Sequence, residues 1–203
     1  MSATTTLPNV ARGHLDILDE TLSALRQQTG RLTRWGRVLA ERLSEGNRLL
    51  AAGNGGSAAQ ARQLTADLLG RYHDDRPPFS AIALRADASS LTAVGDEYEY
   101  DHAELFGRQV LAHARPRDIL LLLSGTGRSR NLTRAAEEGV RAGANVWALT
   151  GPSPNPLANV VEDALCLPGT AATVQEAHLV AVHILCMEVE TALSRKDGQR
   201  RAS

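Results

Sequence analysis

The sequence predicts an α/β fold in which helices cover both faces of a parallel β-sheet. Apolar runs of strand length alternate with segments of helical periodicity, in units of about 30 residues. Residues 119–123 are apolar at every position, which is typical of a parallel strand buried on both faces. The chain has 203 residues, 43% of them hydrophobic, which is enough for one domain with a substantial core.

Two amphipathic helices are predicted before the first strand. Apolar residues recur at helical spacing over residues 14–28 and 31–45, and Thr29 and Gly30 interrupt the pattern between them. These helices either hold an oligomer together or cover one face of the sheet, and the spacing fits both. Residues 1–12 are predicted to be a flexible leader.

The rest of the chain alternates between strands and helices, and Gly70 and Gly143 mark the ends of two helices. In chain order the strands are expected at residues 48–52, 80–84, 119–123, 145–150 and 164–167. The helices after them are expected at residues 57–69, 89–94, 101–114, 131–142 and 173–193. Residues 196–203 are polar and charged and are predicted to be a disordered tail.

The bulk properties exclude several classes of partner. A net charge of −1 gives no general attraction to nucleic acid or to an anionic membrane. No apolar run approaches the roughly 18 residues of a membrane span, and the first residues do not resemble a signal peptide. The two cysteines form no spaced framework. We therefore expect a cytoplasmic protein with neither nucleic acid nor membrane as a partner.

A glycine-rich segment follows the first predicted strand and opens the next helix. This glycine loop, residues 53–57, reads Gly-Asn-Gly-Gly-Ser, and no Gly-Lys-Ser/Thr of a P-loop follows it. Glycine lets a ligand approach the main-chain N–H groups closely, and Ser57 is expected to cap the helix. The amino terminus of a helix favours an anion. Taken alone, the loop is equally well explained as a plain strand-to-helix turn.

A second loop of small polar residues follows the strand at residues 119–123. This Ser/Thr loop, residues 124–129, offers the hydroxyls of Ser124, Thr126 and Ser129 before a helix. Arg128 either adds a cation or is solvated. Ligands of parallel sheets bind beyond the carboxyl ends of the strands, where both loops are expected to lie. The two loops together favour a phosphorylated ligand over a purely structural role.

Two predicted helices carry side chains suited to proton transfer. Gln63 and Asp67 are one turn apart and share a face. On the last helix, Glu176 and His183 differ by about 20° around the axis, whereas His178 points about 140° away from His183. Spacing alone favours a solvated Asp67 and His183 as a core residue. If His183 is functional, a carboxylate partner would set its acid–base role.

Several motifs together resemble one family. They are Gly-Asn-Gly-Gly-Ser-Ala-Ala at 53–59, Gly-Arg-Tyr at 70–72, Leu-Thr-Ala-Val-Gly at 91–95 and Val-Gln-Glu-Ala-His-Leu at 174–179, with His183 beyond. They resemble the phosphoheptose isomerases of the SIS domain superfamily, over about residues 10–195. The resemblance implies a flavodoxin-like three-layer sandwich with a central five-stranded parallel sheet, a single SIS domain over residues 13–195, and a homotetramer with active sites at subunit interfaces.

The resemblance also implies the reaction and its residues. The family interconverts sedoheptulose 7-phosphate and D-glycero-D-manno-heptose 7-phosphate, and needs no nucleotide cofactor. The motifs place a catalytic carboxylate at Asp67 and its partner at His183. The matching substrate-binding positions are Asn54, Gly55, Gly56, Ser57, Asp96, Glu97, Ser124, Gly125, Thr126, Ser129 and Gln175.

Some family members bind Zn²⁺ at positions that correspond here to Gln63, Asp67, Gln175 and His183. Gln63 replaces a family histidine, and an amide oxygen is a weak zinc ligand beside imidazole, which argues against the metal. Asp67 replaces a glutamate and is about one methylene shorter, so the backbone or the substrate must shift for it to reach.

Two further departures change the charge around the sugar. Asp96 and Glu97 replace an Asn-Asp pair and add negative charge, although an acidic run of this kind is also typical of a solvated turn. The Ser/Thr loop reads Ser-Gly-Thr-Gly-Arg-Ser, with one hydroxyl fewer and one cation more than the family pattern.

Two functions fit these residues. In the first, the protein is an isomerase that acts through an enediol, with Asp67 and His183 sharing the proton transfers in an order that stays open. In the second, it is a catalytically silent SIS protein that binds a sugar phosphate or a protein partner, as the DnaA-associating relatives do. Retention of His183 and of an acid at position 67 favours the enzyme, and loss of the histidine at position 63 favours the binding protein.

Overall fold

A computed structural model describes residues 9–73, 75–87, 89 and 102–202. These residues form five strands and six helices. The strands are β1 Leu49–Gly53, β2 Ala81–Ala83, β3 Ile119–Ser124, β4 Asn145–Thr150 and β5 Asp163–Cys166. The helices are α1 Val10–Gln27, α2 Thr29–Ser44, α3 Gly56–Leu69, α4 Glu104–His113, α5 Arg130–Arg141 and α6 Ala171–Ala202.

The five strands form one parallel sheet in the order β2-β1-β3-β4-β5. This is the flavodoxin-like order, in which the chain turns to one side of β1 and then returns to the other. The direction of winding therefore changes between β1 and β3. The glycine loop and the Ser/Thr loop leave these two neighbouring strands at their carboxyl ends. The predicted five-stranded parallel sheet is confirmed.

Alternate residues of the strands enter two separate cores, which makes three layers. Leu49, Leu121 and Leu149 pack with α1, α2, α3 and α6 on one face. Leu120 and Leu122 pack with α4 and α5 on the other face. Side chains that alternate along a strand point to opposite faces, so a strand of leucines such as β3 supplies both cores.

The helix α2 covers a sheet face, which is one of the two roles left open for the amino-terminal helices. Trp35 of α2 stacks on Trp147 of β4 with ring centroids 4.9 Å apart. Its indole Nε1 also donates a hydrogen bond to Asp163 of β5 at 2.8 Å. A Cβ at Gly36 would lie 2.4 Å from Cβ of Glu188, so this glycine permits the close packing of α2 on α6.

The helix α6 is a core helix. Residues 171–196 are long and apolar enough to cross a membrane by length and composition alone. Several of their side chains, from Val174 to Val189, are however buried against the sheet and the neighbouring helices. This burial is that of a core helix. Leu179, Val180 and Met187 remain exposed.

Helices extend beyond three predicted boundaries. Asn9 accepts a hydrogen bond from the Arg12 N–H at 3.2 Å and caps α1, so residues 10–12 are helical and do not belong to a flexible leader. Helix α2 begins at Thr29, and α6 continues to Ala202 through the predicted tail. Adding a residue to an existing helix costs far less than starting one, which explains the extensions. Most of the helix expected at residues 89–94 lies outside the described residues.

Candidate functional site

The glycine loop is held tightly against its surroundings. A Cβ at Gly53 would lie 2.6 Å from the Ser57 carbonyl carbon, and one at Gly56 would lie 1.5 Å from Nε2 of Gln175. Gly55 has a φ of +53° and is itself the N-cap residue of α3. The prediction that Ser57 caps the helix is therefore wrong. The helix begins one residue earlier, which places Ser57, buried, inside its first turn.

A pair of asparagines connects the two loops. Asn54 in the glycine loop and Asn131 at the start of α5 each donate an amide hydrogen bond to the other, both at 3.0 Å. Asn54 was predicted at the site, whereas Asn131 was not. Its position two residues after Ser129 was the available signal. The pair fixes the separation of the loops and occupies one amide hydrogen of Asn54.

The Ser/Thr loop is a tight turn closed by its own side chains. The Ser124 Oγ is buried and accepts a hydrogen bond from the Gly127 N–H at 3.0 Å. The exposed Thr126 accepts one from the Arg128 N–H at 3.3 Å. Ser129 is the N-cap residue of α5, but its hydroxyl does not bond the helix N–H groups, all of which are described. The N–H groups of Leu132 and Thr133 bond the Ser129 carbonyl instead, both at 3.1 Å, which leaves the Ser129 hydroxyl able to contact a ligand.

The structure brings together three of the four residues that the resemblance assigned to proton transfer and metal binding. A shallow cavity of ≈ 540 Å³ between α3 and α6, which we call the α3–α6 cleft, is lined by Gln63, Gln175 and His183, with Gly56, Ala59, Gln60 and Leu179. Asp67 does not line this cavity. It lies one turn beyond Gln63, whose Nε2 donates to the Asp67 Oδ1 at 2.8 Å.

One carboxylate oxygen of Asp67 has no hydrogen-bond partner among the described residues. This oxygen, Oδ2, is buried. Burial, and then the charges of Cys186, Asp67 and Glu190, raise the pKa of Tyr72. The Tyr72 ring lies 5.9 Å from the His183 ring. Tyr72 is therefore near both members of the predicted catalytic pair.

The segment beyond α3 is tied down beside this pair. Arg76 donates to the backbone carbonyls of Asp67 and Leu68, both at 2.9 Å, which satisfies the last turn of α3. Glu190 of α6 accepts hydrogen bonds from the N–H groups of Tyr72 and His73 at 3.2 and 3.0 Å. These contacts keep Tyr72 beside His183.

Glu176 and His178, which also lie on α6, do not join His183. Glu176 pairs instead with His14 of α1, whose Nε2 lies 2.9 Å from its Oε2. His178 is buried with its Nε2 3.3 Å from the Thr150 carbonyl oxygen, and burial lowers its pKa to about 4. The neutral ring therefore donates to that carbonyl. Asp96 and Glu97 lie outside the described residues.

The donor set at the four metal-matching positions does not fit zinc. It offers one imidazole, one carboxylate and two amides, and the Gln63 amide already donates to Asp67. The described residues contain no group of three His, Cys, Asp or Glu side chains arranged to hold a metal ion. Zinc sites in proteins use three or four such ligands. We therefore derive no step through a metal.

Comparison with known proteins places this arrangement in a family. The family described as SIS domain matches residues 14–151. A phosphoheptose isomerase from Streptomyces coelicolor is 54% identical over 192 residues, which is 94% of this chain and 82% of that protein. A phosphoheptose isomerase from Shewanella sediminis is 40% identical over 159 residues, 76% of this chain and 80% of that protein.

Solved structures agree with the sequence comparison. A phosphoheptose isomerase structure from Francisella tularensis has a TM-score of 0.80 at 30% identity, and covers 93% of this chain and 100% of its own. One from Neisseria gonorrhoeae has a TM-score of 0.78 at 28% identity, and covers 90% and 97% respectively. The chain belongs to the phosphoheptose isomerase family of SIS domain proteins.

Proposed function

We propose that the protein is an aldose–ketose isomerase that interconverts sedoheptulose 7-phosphate and D-glycero-D-manno-heptose 7-phosphate. The relatives and solved structures named phosphoheptose isomerase support this reaction. The observation that carries it is that His183 lines the α3–α6 cleft together with Gln63, whose amide donates to the carboxylate of Asp67, next to the glycine loop. The catalytically silent alternative is not favoured, since the relatives named above are isomerases.

The two side chains divide the proton transfers. One of Asp67 and His183 moves a proton between C1 and C2 through the enediol, and the other handles the hydroxyl and carbonyl oxygens. The Asp67 Oδ2 has no described partner and is thus able to accept a proton or a hydrogen bond. Because this oxygen is buried, the Asp67 side chain must rotate, or the cleft must open, before it reaches the sugar.

The Ser/Thr loop supplies the phosphate site in this proposal. The hydroxyls of Ser124, Thr126 and Ser129 and the amino terminus of α5 suit a phosphate monoester. The glycine loop, held to α5 by Asn54, lies between this site and the cleft. Phosphate binding at a distance from C1 and C2 provides binding energy that positions the reacting carbons.

We also propose a homotetramer with active sites at subunit interfaces, in the cytoplasm. The α3–α6 cleft is shallow, and Leu179 on its wall is exposed beside Val180 and Met187 on the same helix. A second subunit against this face would bury the apolar side chains and would close the cleft to water. A net charge of −1 is compatible with such self-association.

The direct test is incubation of the purified protein with sedoheptulose 7-phosphate while the sugar is followed by NMR. We expect the anomeric signals of the aldose heptose 7-phosphate to grow until equilibrium is reached. A sample without protein corrects for spontaneous isomerisation. If the protein turns over neither sedoheptulose 7-phosphate nor the aldose, with and without added zinc, the heptose reaction is excluded.

A further inference from the structure

Asn155 is buried beside the Ser/Thr loop although it belongs to a different connection. It lies in the turn-rich segment between β4 and β5, and only 3% of its surface is exposed. Asparagine is mostly found at the surface, and a buried amide must have its hydrogen-bonding groups satisfied. The contacts of this side chain therefore show what it holds in place.

The Asn155 amide is fully used. Its Nδ2 donates to the Thr150 Oγ1 at 3.1 Å and to the carbonyls of Gly151 and Pro152 at 3.4 and 3.2 Å. Its Oδ1 accepts from the Ala158 N–H at 2.9 Å. These bonds tie the start of the segment to Ala158 through one side chain, so the amide has a single defined position.

In that position the Asn155 side chain packs directly against Gly127 in the turn of the Ser/Thr loop. A Cβ at Gly127 would lie 2.0 Å from the Asn155 Oδ1 and 2.2 Å from its Cγ, so Asn155 occupies the space beside this glycine. The Gly127 N–H donates to the Ser124 Oγ, and its carbonyl accepts from the Leu157 N–H at 3.0 Å. Any shift of Asn155 therefore shifts the group that orients the Ser124 hydroxyl.

The base of this network is itself fixed to the sheet and to α6. The Gly151 N–H donates to the Ser124 carbonyl at 3.2 Å. Thr150 is paired with Ser124 in the β3–β4 register, and its carbonyl accepts from the buried His178. The network consequently joins β3, β4 and α6 under the loop.

We propose that Asn155 is a positioning residue for the phosphate group of the substrate. It acts through Gly127 and holds the Ser124 hydroxyl in the orientation that receives the phosphate. This inference rests on the proposed phosphate site in the Ser/Thr loop. A purely structural Asn155 would affect only stability, whereas a positioning residue also affects phosphate affinity.

The test compares Asn155→Ala with Asp118→Ala. Asp118 is equally buried, at 1% exposure, and also accepts hydrogen bonds from backbone N–H groups. It lies just before the amino-terminal end of β3, at the end of the sheet opposite to the loops. We expect Asn155→Ala to raise KM for sedoheptulose 7-phosphate about tenfold with kcat changed less than about twofold, because uniform binding is lost. Asp118→Ala is expected to leave KM unchanged.

A second variant and a measurement on the wild-type protein test the proposal even if Asn155→Ala does not fold. Gly127→Ala drives a methyl group against the Asn155 amide and also strains the turn, because Gly127 has a φ of +67°, so we expect it to raise KM at least as much as Asn155→Ala. In the wild-type protein, NMR signals of the Gly127 N–H and the Asn155 side-chain amide are expected to shift together as inorganic phosphate is added. A shift of Gly127 without Asn155 overturns the proposal.

Failure of this inference is distinguishable from failure of the proposed function. If wild-type protein turns over the phosphosugar and Ser124→Ala raises KM, but Asn155→Ala has the wild-type KM, Asn155 has no positioning role. If wild-type protein binds neither inorganic phosphate nor the phosphosugar, the phosphate site fails and the inference with it. An equal rise of KM in Asp118→Ala also overturns the inference, since it would show a general effect of lost stability.

Discussion

The α3–α6 cleft and the Ser/Thr loop lie at the same end of the sheet, yet they are built in opposite ways. At the Ser/Thr loop, the Ser124 hydroxyl accepts a hydrogen bond from the Gly127 N–H, and the amide of Asn155 from the neighbouring connection bonds Thr150 and Ala158. Beside the cleft, Asp67 leaves a buried oxygen without a described partner, and the cavity is open.

This difference suits the loop to binding the phosphate and the cleft to proton transfer. A group that binds the same charge throughout the reaction is best preorganised, since ordering it in advance costs nothing at the moment of binding. A group that exchanges protons needs a free lone pair and some freedom to move. The comparison predicts that substitutions at the cleft change kcat and that substitutions at the loop change KM.

The largest effect is expected at the cleft. Asp67→Asn keeps the acceptor for Gln63 but removes the titrating carboxyl, and His183→Gln removes the imidazole. We expect each to lower kcat about 10²- to 10⁴-fold with a small change in KM, because general acid–base catalysis contributes this much. Steady-state kinetics with sedoheptulose 7-phosphate measures both constants.

Glu176→Gln is the matched control for these variants. Glu176 lies on α6 as His183 does, but it pairs with His14 and does not line the cleft. Its kcat should stay within about twofold of wild type, which is the range of a surface substitution. If both Asp67→Asn and His183→Gln had the wild-type kcat, the residues of the cleft would take no part in proton transfer.

The next largest effect concerns His178, which belongs to the hydrogen-bond network under the Ser/Thr loop. It is expected in the free energy of unfolding. His178 has a pKa of about 4 in the folded protein and 6.5 as a free side chain. The unfolded chain therefore binds the proton first, and the free energy of unfolding falls as pH drops from about 6.5 to about 4. The difference corresponds to about 3 kcal/mol.

Denaturant unfolding at several pH values between 7 and 4 measures this loss. His178→Gln keeps a donor for the Thr150 carbonyl but does not titrate, and its pH dependence over this range should be shallower by that amount. Carboxylates contribute equally to both proteins and cancel in the difference. Parallel curves would show that His178 is not held neutral by the fold.

A smaller effect is expected when the serine hydroxyls that are proposed to bind the phosphate are removed. Ser124→Ala and Ser129→Ala should each raise KM about tenfold for several sugar phosphates alike, since a hydrogen bond to a charged group is lost. Unphosphorylated sedoheptulose should show no such change. Ser44→Ala, which removes a hydroxyl bonded to the Ala40 carbonyl in α2, is the control. If Ser124→Ala or Ser129→Ala lowered kcat without raising KM, the loop would act in catalysis and the proposed division between loop and cleft would be wrong.

The smallest effect is expected for zinc. The two amides among the four matching residues make a weak donor set, so chelation with EDTA or addition of zinc should change kcat less than about twofold. The assay is the NMR measurement described above, with metal content determined in parallel. Activity lost on chelation and restored by zinc would show that the cleft uses a metal.

The strands and most helices could be predicted from the sequence because their signal is local. The buried strand β4 was predicted at residues 145–150, as observed, and the other strands differ by one residue at one or both ends. The helix ends were less accurate, since Ser57 and the residues around Val10 depend on capping geometry that periodicity does not contain.

The site was only partly predictable. The resemblance brought Asp67 and His183 together across more than a hundred residues, which spacing alone could not do. It did not identify Asn131 or Asn155, whose partners lie in other loops. A polar side chain in a turn-rich segment gives no local sign of whether it faces water or another loop.

By itself, the sequence determined the alternation of strands and helices, the parallel sheet and the placement of two small-residue loops at strand ends, because each depends on the order of apolar and small residues along the chain. Only the tertiary structure decided that Asn54 pairs with Asn131, that one Asp67 oxygen has no hydrogen-bond partner in the described part of the chain, and that Asn155 supports Gly127. These facts depend on distances between segments far apart in the chain, and packing sets those distances.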